Sequence, residues 1–222
     1  MCGRYTLTGY QRIPDLFEVD DVRIGPRFNI APTQDVPAVR LGQQGQRRLD
    51  LFHWGLIPFW AKDPKMGARM INARSETVDS KPAFRNAFAR RRCLIPADGY
   101  YEWRKLPDGK QPFLFRLKDG GLFAFAGLWE RWKSPEIGER LSCTILTTSP
   151  NPLAAAAHDR MPVILPPEGH RLWLDPGSAP ELLKELMIPY QGSDLEAFPV
   201  SRTVNNPRNE AAECVEPVGE RI

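Results

Sequence analysis

The chain has 222 residues, with 30 Lys and Arg against 27 Asp and Glu and a formal charge of +3. That length allows one large domain or two small ones, and a full core without disulfide staples. Six Trp, eleven Phe and five Tyr exclude a disordered chain. No apolar run approaches the roughly 20 residues of a membrane span, and the start MCGRYTLTGY carries no apolar signal segment, so a cytoplasmic protein without a membrane partner is expected.

In chain order, residues 12–19 (RIPDLFEV) read as a short helix, followed by strand-like runs at 36–42 and 47–57. A helix is expected over 81–91, opened by Pro82, and strands over 91–97 and 99–105. LPDGKQ at 106–111 joins the last of these to a strand at 111–118 in a hairpin. Strands at 122–132 and 141–149 come next, then a helix at 151–158 with Pro after Asn151, and a strand at 161–165. Helices at 167–174 and 180–187 and a strand at 198–201 complete the set. Strands dominate and do not alternate regularly with helices. This predicts an α+β fold, a mixed or antiparallel sheet rather than a doubly wound one, organised as a single domain over 1–222.

Cys2, Cys93, Cys143 and Cys214 lie far apart, with no C-x-x-C pair and no Cys/His cluster. No metal site is expected, and three of the thiols are expected to be buried in strands. Charge is uneven. Residues 69–92 hold Arg69, Arg74, Lys81, Arg85, Arg90, Arg91 and Arg92 against Glu76 and Asp79, a local +5, whereas 175–198 is a local −4. A basic stretch suits a polyanion, though such runs often form plain solvated faces.

Four residues could carry chemistry. Cys2 follows the initiator Met and is small enough to permit Met1 removal, which would leave a 1,2-aminothiol at the chain start. Its amine (pKa near 7.7–8.0) and thiol (near 8.5) are both partly nucleophilic at neutral pH. The thiol could attack an acyl group with the amine as base, or the amine could condense with an aldehyde and the thiol close a thiazolidine. His158, in AAAAHDRMPV, is either a general acid–base or a cap on helix carbonyls; His53 and His170 read as structural. Glu102, between Tyr101 and Trp103, is either a surface carboxylate or a desolvated one with a raised pKa. Asn72, in RMINARSET, reads as a strand end whose amide could orient a nucleophile or simply form a turn, and Arg74 shares its face in an extended chain.

These segments occur together and in order: MCGRY at 1–5, RFNIAPTQ at 27–34, WGLIPFWAK at 54–62 and INARSET at 71–77. FRNAFARRRCLIPADGYYEW at 84–103, KQPFLF at 110–115 and HDRMPVIL at 158–165 follow. The set resembles the SRAP family, the SOS-response-associated peptidases, understood as abasic-site processing proteins. The resemblance implies a barrel-like core with short peripheral helices. It implies a monomer that recognises an abasic site in single-stranded DNA, a DNA-damage and repair function. There Cys2, after Met1 removal, would form a covalent thiazolidine crosslink that shields the lesion from strand cleavage. By similarity Asn72 would position the Cys2 amine, Glu102 would shuttle protons and His158 would assist near the sugar. Arg4, Arg74 and Arg160 match phosphate-holding positions, Thr147 a backbone contact, and Pro32 with Trp60 a wedge that interrupts base stacking. The chemistry is lyase-like and needs no metal or organic cofactor. The family name also allows a peptidase step limited to removal of Met1. Where some relatives have Arg beyond the SET segment, this chain has Lys81-Pro82, and a lysine is the less specific phosphate ligand. Trp54, Phe59 and Trp60 supply aromatic surfaces beside the basic stretch, as single-strand binding requires. Two other readings stand beside this one: an N-terminal-nucleophile amidohydrolase or glutamine amidotransferase using Cys2, and a non-catalytic single-strand-binding module.

Overall fold

A computed structural model of the chain describes residues 2–20, 23–107, 109–136 and 138–222. Its strands are β1 (Tyr5–Leu7), β2 (Arg27–Ile30), β3 (Asp35–Leu41), β4 (Arg47–Trp54), β5 (Asn72–Arg74), β6 (Arg92–Ala97) and β7 (Gly99–Leu106). They continue with β8 (Gly109–Leu117), β9 (Phe123–Ser134), β10 (Gly138–Thr148), β11 (Met161–Pro162), β12 (Ile164–Leu165) and β13 (Leu195–Pro199). The helices are short: α1 (Ile13–Phe17), α2 (Arg85–Arg90), α3 (Pro152–Ala155), α4 (Gly169–Leu174) and α5 (Pro180–Glu185). No helix among the described residues is long and apolar enough to cross a membrane.

Five strands close on themselves. β10 pairs with β4, β4 with β3, β3 with β6, β6 with β9, and β9 returns to β10. The ring is mixed, because β4 runs parallel to β10 and the other four contacts are antiparallel. Closure removes the sheet edges, and inward side chains such as Phe52, Ile95, Phe125 and Ile145 fill the interior. Gly127 permits the tight approach of β9 to β6, since a Cβ there would stand 2.7 Å from Cys93 Sγ. A second, antiparallel sheet in the order β13-β8-β7-β1-β2 packs beside the ring. This is the α+β architecture with a barrel-like core and peripheral helices that the sequence leads one to expect.

The two sheets are joined at Asp98, the one residue between β6 and β7. Its buried carboxylate accepts from Thr6 Oγ1 (2.5 Å), Thr8 Oγ1 (2.6 Å) and the Thr8 and Gly9 amides (2.5 and 2.8 Å). Four donors on one carboxylate fix where the first residues of the chain lie relative to the barrel.

Several expectations need correction. β1, β2 and β5 carry no readable strand pattern: each has three or four residues, and β1 is buried on both faces, so period-two alternation never develops. Pro82 does not open α2, which begins at Arg85 after a turn. Asn72 begins β5 rather than ending a strand, because Met70 and Ile71 follow a 3-10 turn over Pro64–Arg69. The hairpin forms, with Leu106 opposite Gly109, although Asp108 lies outside the described residues. All four cysteines are free and buried, but Cys214 sits in a 3-10 turn; only Cys93 and Cys143 are in strands.

Candidate active site and nucleic-acid interface

The site forms where β5, β7 and the segment after α3 meet the chain start. β5 is held parallel to β10, with Asn72 opposite Ile145 and Arg74 opposite Thr147. Its approach is pinned from behind. The buried Trp54 indole donates to the Ile71 carbonyl (2.9 Å), and the Leu56 amide to that of Met70 (3.1 Å). Gly55 (φ 140°) and Gly67 stand back to back. A Cβ on Gly67 would lie 2.5 Å from the Gly55 carbonyl, so side chains there would push the WGLIPFW loop off β5. Trp54 therefore positions the site and offers no stacking surface.

Asn72 Nδ2 donates to the Cys2 carbonyl at 2.8 Å, and Asn72 Oδ1, although buried, has no partner among the described residues. Cys2 itself is buried. Burial, with the Glu102 charge, pushes its thiol well above the usual range; a hydrogen bond from the Arg4 amide offsets part of this. Glu102 is 3% exposed, and burial raises its carboxyl to about 7, so the two alternatives for this residue resolve in favour of the desolvated one. Strand alternation sends Tyr101 and Trp103 to the opposite face of β7, where Tyr101 donates to the Phe28 and Cys214 carbonyls.

His158 follows α3 and lines, with Glu102, Trp103, Lys105, Lys110 and Asp159, an open cleft of about 640 Å³. Its Nδ1 accepts from the Arg160 amide (3.1 Å) and lies 2.8 Å from Asp159 Oδ1. Burial holds its pKa below the ordinary value, with the Asp159 charge acting against the shift.

The expected phosphate ligands differ in how far they are committed. Arg74 is exposed and makes no ion pair among the described residues. Arg160 grips Glu76 with both terminal nitrogens (2.5 and 2.9 Å) and donates to the Thr147 carbonyl at 2.6 Å. That pair lowers the Glu76 carboxyl, first through the hydrogen bond itself. Thr147 is fully buried, so only its surroundings reach solvent. Arg4 donates to Asn29 Oδ1 and the Val204 carbonyl, both at 2.7 Å, and lies over the Trp103 ring. Pro32 is half-buried in a turn where Thr33 takes φ 70°, a costly conformation for a β-branched residue. Trp60 is 47% and Phe59 53% exposed.

The basic stretch splits. Arg92 is buried and donates to the carbonyls of Trp173 (2.6 Å), Phe88 and Asp175, so it holds α2 and α4 to the barrel. Arg91 pairs with the buried Glu130 at 2.8 Å. Arg69, Arg74, Lys81, Arg85 and Arg90 remain on the surface. His53 and His170 are structural as expected: His170, pushed down to about 4 by burial, stacks on Phe17 at 5.4 Å. The Glu76 clamp and the Asp98 junction escape sequence reasoning. Glu76 had a readable signal, as a lone acid within the NAR-SET segment. Among the described residues no cluster of three or more His, Cys, Asp or Glu could hold a metal ion.

Comparison with known proteins follows the same lines. The chain is 45% identical to the abasic site processing protein YoqW of Bacillus subtilis, over 97% of this chain and 99% of that one. It is 31% identical to the abasic site processing protein HMCES of Xenopus tropicalis, covering 97% of this chain and 78% of the relative. Against the abasic site processing protein YedK of Escherichia coli the identity is 31%, over 86% and 85%. A crystal structure of a Bacteroides thetaiotaomicron protein superposes with a TM-score of 0.87 at 25% identity, over 97% of this chain and 99% of the other. The model of the SOS response associated peptidase family matches residues 1–207, and the chain belongs to that family.

Proposed function

We propose that this chain processes abasic sites in single-stranded DNA, trapping the lesion as a covalent thiazolidine on Cys2 once Met1 has been removed. The observation that carries the reading is the joint placement of Cys2, held through its carbonyl by Asn72, with a buried carboxyl at Glu102 whose pKa lies near 7.

The reaction begins with opening of the deoxyribose ring, for which His158 and Glu102 take and return a proton. The freed Cys2 amine, accepting its orientation from Asn72 Oδ1, adds to the aldehyde carbon. Glu102, about half protonated at pH 7, donates the proton with which the carbinolamine loses water to give an imine. The Cys2 sulfur then adds to the same carbon, and its proton ends on the ring nitrogen. Aldehyde and aminothiol thus yield thiazolidine and one water. Burial keeps the sulfur a thiol until the imine is present, and ring closure removes the imine before it can drive strand cleavage. Neither a metal nor an organic cofactor enters these steps, and a single copy of the chain suffices.

Around this centre Arg74 and Lys81 would hold phosphates. Arg160 would do so by exchanging part of its Glu76 contact, beside Thr147. Arg4 would act from its internal anchorage, and Pro32 and Trp60 would enter the stack at the lesion. Removal of Met1, by the chain itself or by an aminopeptidase, is the maturation step.

Intact-mass spectrometry tests the proposal before and after incubation with a uracil-excised oligonucleotide. The expected product lacks methionine and gains the mass of the oligonucleotide less one water. Retained methionine, or an unshifted mass, overturns the reading; glutamine hydrolysis without an adduct would favour the amidohydrolase.

A further inference from the structure

A groove of about 670 Å³ outside the Cys2 cleft is lined by Phe59, Arg90, Arg91, Trp129, Glu130 and Arg131. Across Arg131 it runs into a second depression of about 370 Å³ that includes Arg40 and Arg48. The surface lies at one end of the barrel, where α2 ends against β9 beside the β3–β4 hairpin. Its charges do not cancel. Asp50 is divided between Arg40 (2.7 Å) and Arg48 (3.5 Å), and Glu139 between Arg131 (3.2 Å) and Lys133 (3.3 Å). Glu130 is spent on Arg91. Arg90 is exposed and makes no ion pair among the described residues. Six cations therefore face three carboxylates. Phe59, more than half exposed, stands at the groove beside Trp60 in sequence.

We propose that this groove holds undamaged single-stranded DNA flanking the lesion, with phosphates along Arg90, Arg131 and Arg48 and a base against Phe59. The identity of the strand rests on the reading of the Cys2 site given above; the groove's charge and aromatic face stand without it. A row of guanidinium groups only half compensated by carboxylates, next to an open ring, is the combination single strands use, electrostatic tracking plus stacking. An acidic protein surface would satisfy the charges but leave Phe59 without a flat partner.

The test measures binding of undamaged single strands of roughly 4 and roughly 16 nucleotides by fluorescence anisotropy across a salt series. For the longer strand, the Arg90→Ala/Arg131→Ala variant should lower the slope of log affinity against log salt by about 1.4, or about 0.7 per lost phosphate contact. Arg90→Lys/Arg131→Lys should keep the slope, which separates lost charge from misfolding. Phe59→Ala should weaken the longer strand by about tenfold with the slope unchanged. An Arg12→Ala/Arg171→Ala control removes equal charge elsewhere and should leave the slope in place. An unchanged slope in the first variant, or an equal fall in the control, overturns the groove. If the wild-type chain forms no adduct yet the slope still falls, the Cys2 chemistry fails and the groove stands. If the adduct forms and the slope is unmoved, the groove alone fails.

Discussion

The reacting centre and the basic rim obey opposite rules. Cys2, Asn72 and Glu102 are placed by strand pairing and backbone hydrogen bonds, and burial tunes the proton affinities of Cys2 and Glu102. Arg74, Arg90, Phe59 and Trp60 are exposed and largely uncommitted. In a low-dielectric centre one lost group changes the chemistry itself. On a solvated rim each group adds a small, salt-screened increment. The first region should therefore fail by loss of reaction and the second by graded loss of grip.

Breaking the centre should have the largest effect. Cys2→Ala should abolish the adduct that survives denaturing electrophoresis, because neither sulfur nor ring closure remains. An adduct of undiminished amount would place the reacting group elsewhere. The next effect falls on stability: Asp98→Ala should cost about 3 kcal/mol, since it strands buried donors of Thr6 and the Thr8 and Gly9 amides. Urea unfolding measures this, and a loss below about 1 kcal/mol would demote the junction.

Glu102 sharpens the contrast through pH. Its folded pKa of about 7 stands above the ordinary carboxylate value, so its contribution to stability is full below about 4.5 and is lost as pH rises through about 7. Glu102→Gln should therefore gain stability relative to the native chain at pH 8, by a few kcal/mol at most, with the gain shrinking towards pH 5. The same variant should slow adduct formation and flatten its pH profile near neutrality. Thermal melts at the two pH values that show an equal offset would contradict the desolvated carboxyl. On the rim, Arg74→Ala should leave the fold intact and reduce the salt slope of noncovalent binding by about 0.7. A slope identical to that of the native chain would remove Arg74 from the phosphate track. Smallest of all, Thr33→Asn should stabilise by about 0.5 kcal/mol, because Asn tolerates the left-handed conformation that Thr33 is forced to adopt.

Legibility in the sequence followed the same division. The long strands β3, β4 and β6–β10 are visible as aromatic and branched runs, because each is buried on at least one face over many residues. β1 and β5 are not, although they carry the chain start and Asn72, because three residues cannot display a period and their extension comes from partners distant in sequence. Site residues stood out as chemical types, but their environments did not. Nothing local says that Glu102 is desolvated, that Trp54 is internal, or that Arg92 turns inward while Arg90 two positions earlier stays in water. The SRAP resemblance supplied the association of distant motifs that residue-by-residue reading left open.

β5 spans three residues, with Asn72 and Arg74 on one side and the buried Ala73 on the other. An extra amino acid inserted between Ile71 and Asn72 would shift this strand by half a period, turning the Asn72 amide to the buried face and leaving the inserted side chain where the amide holds Cys2. The Gly42–Gln46 turn, which projects from the barrel into water, can absorb added length freely. Loop-grafting and tag insertion at that turn therefore leave the fold and the Cys2 site in place, at the edge of the Arg40–Arg48 depression, and are ruinous two strands away.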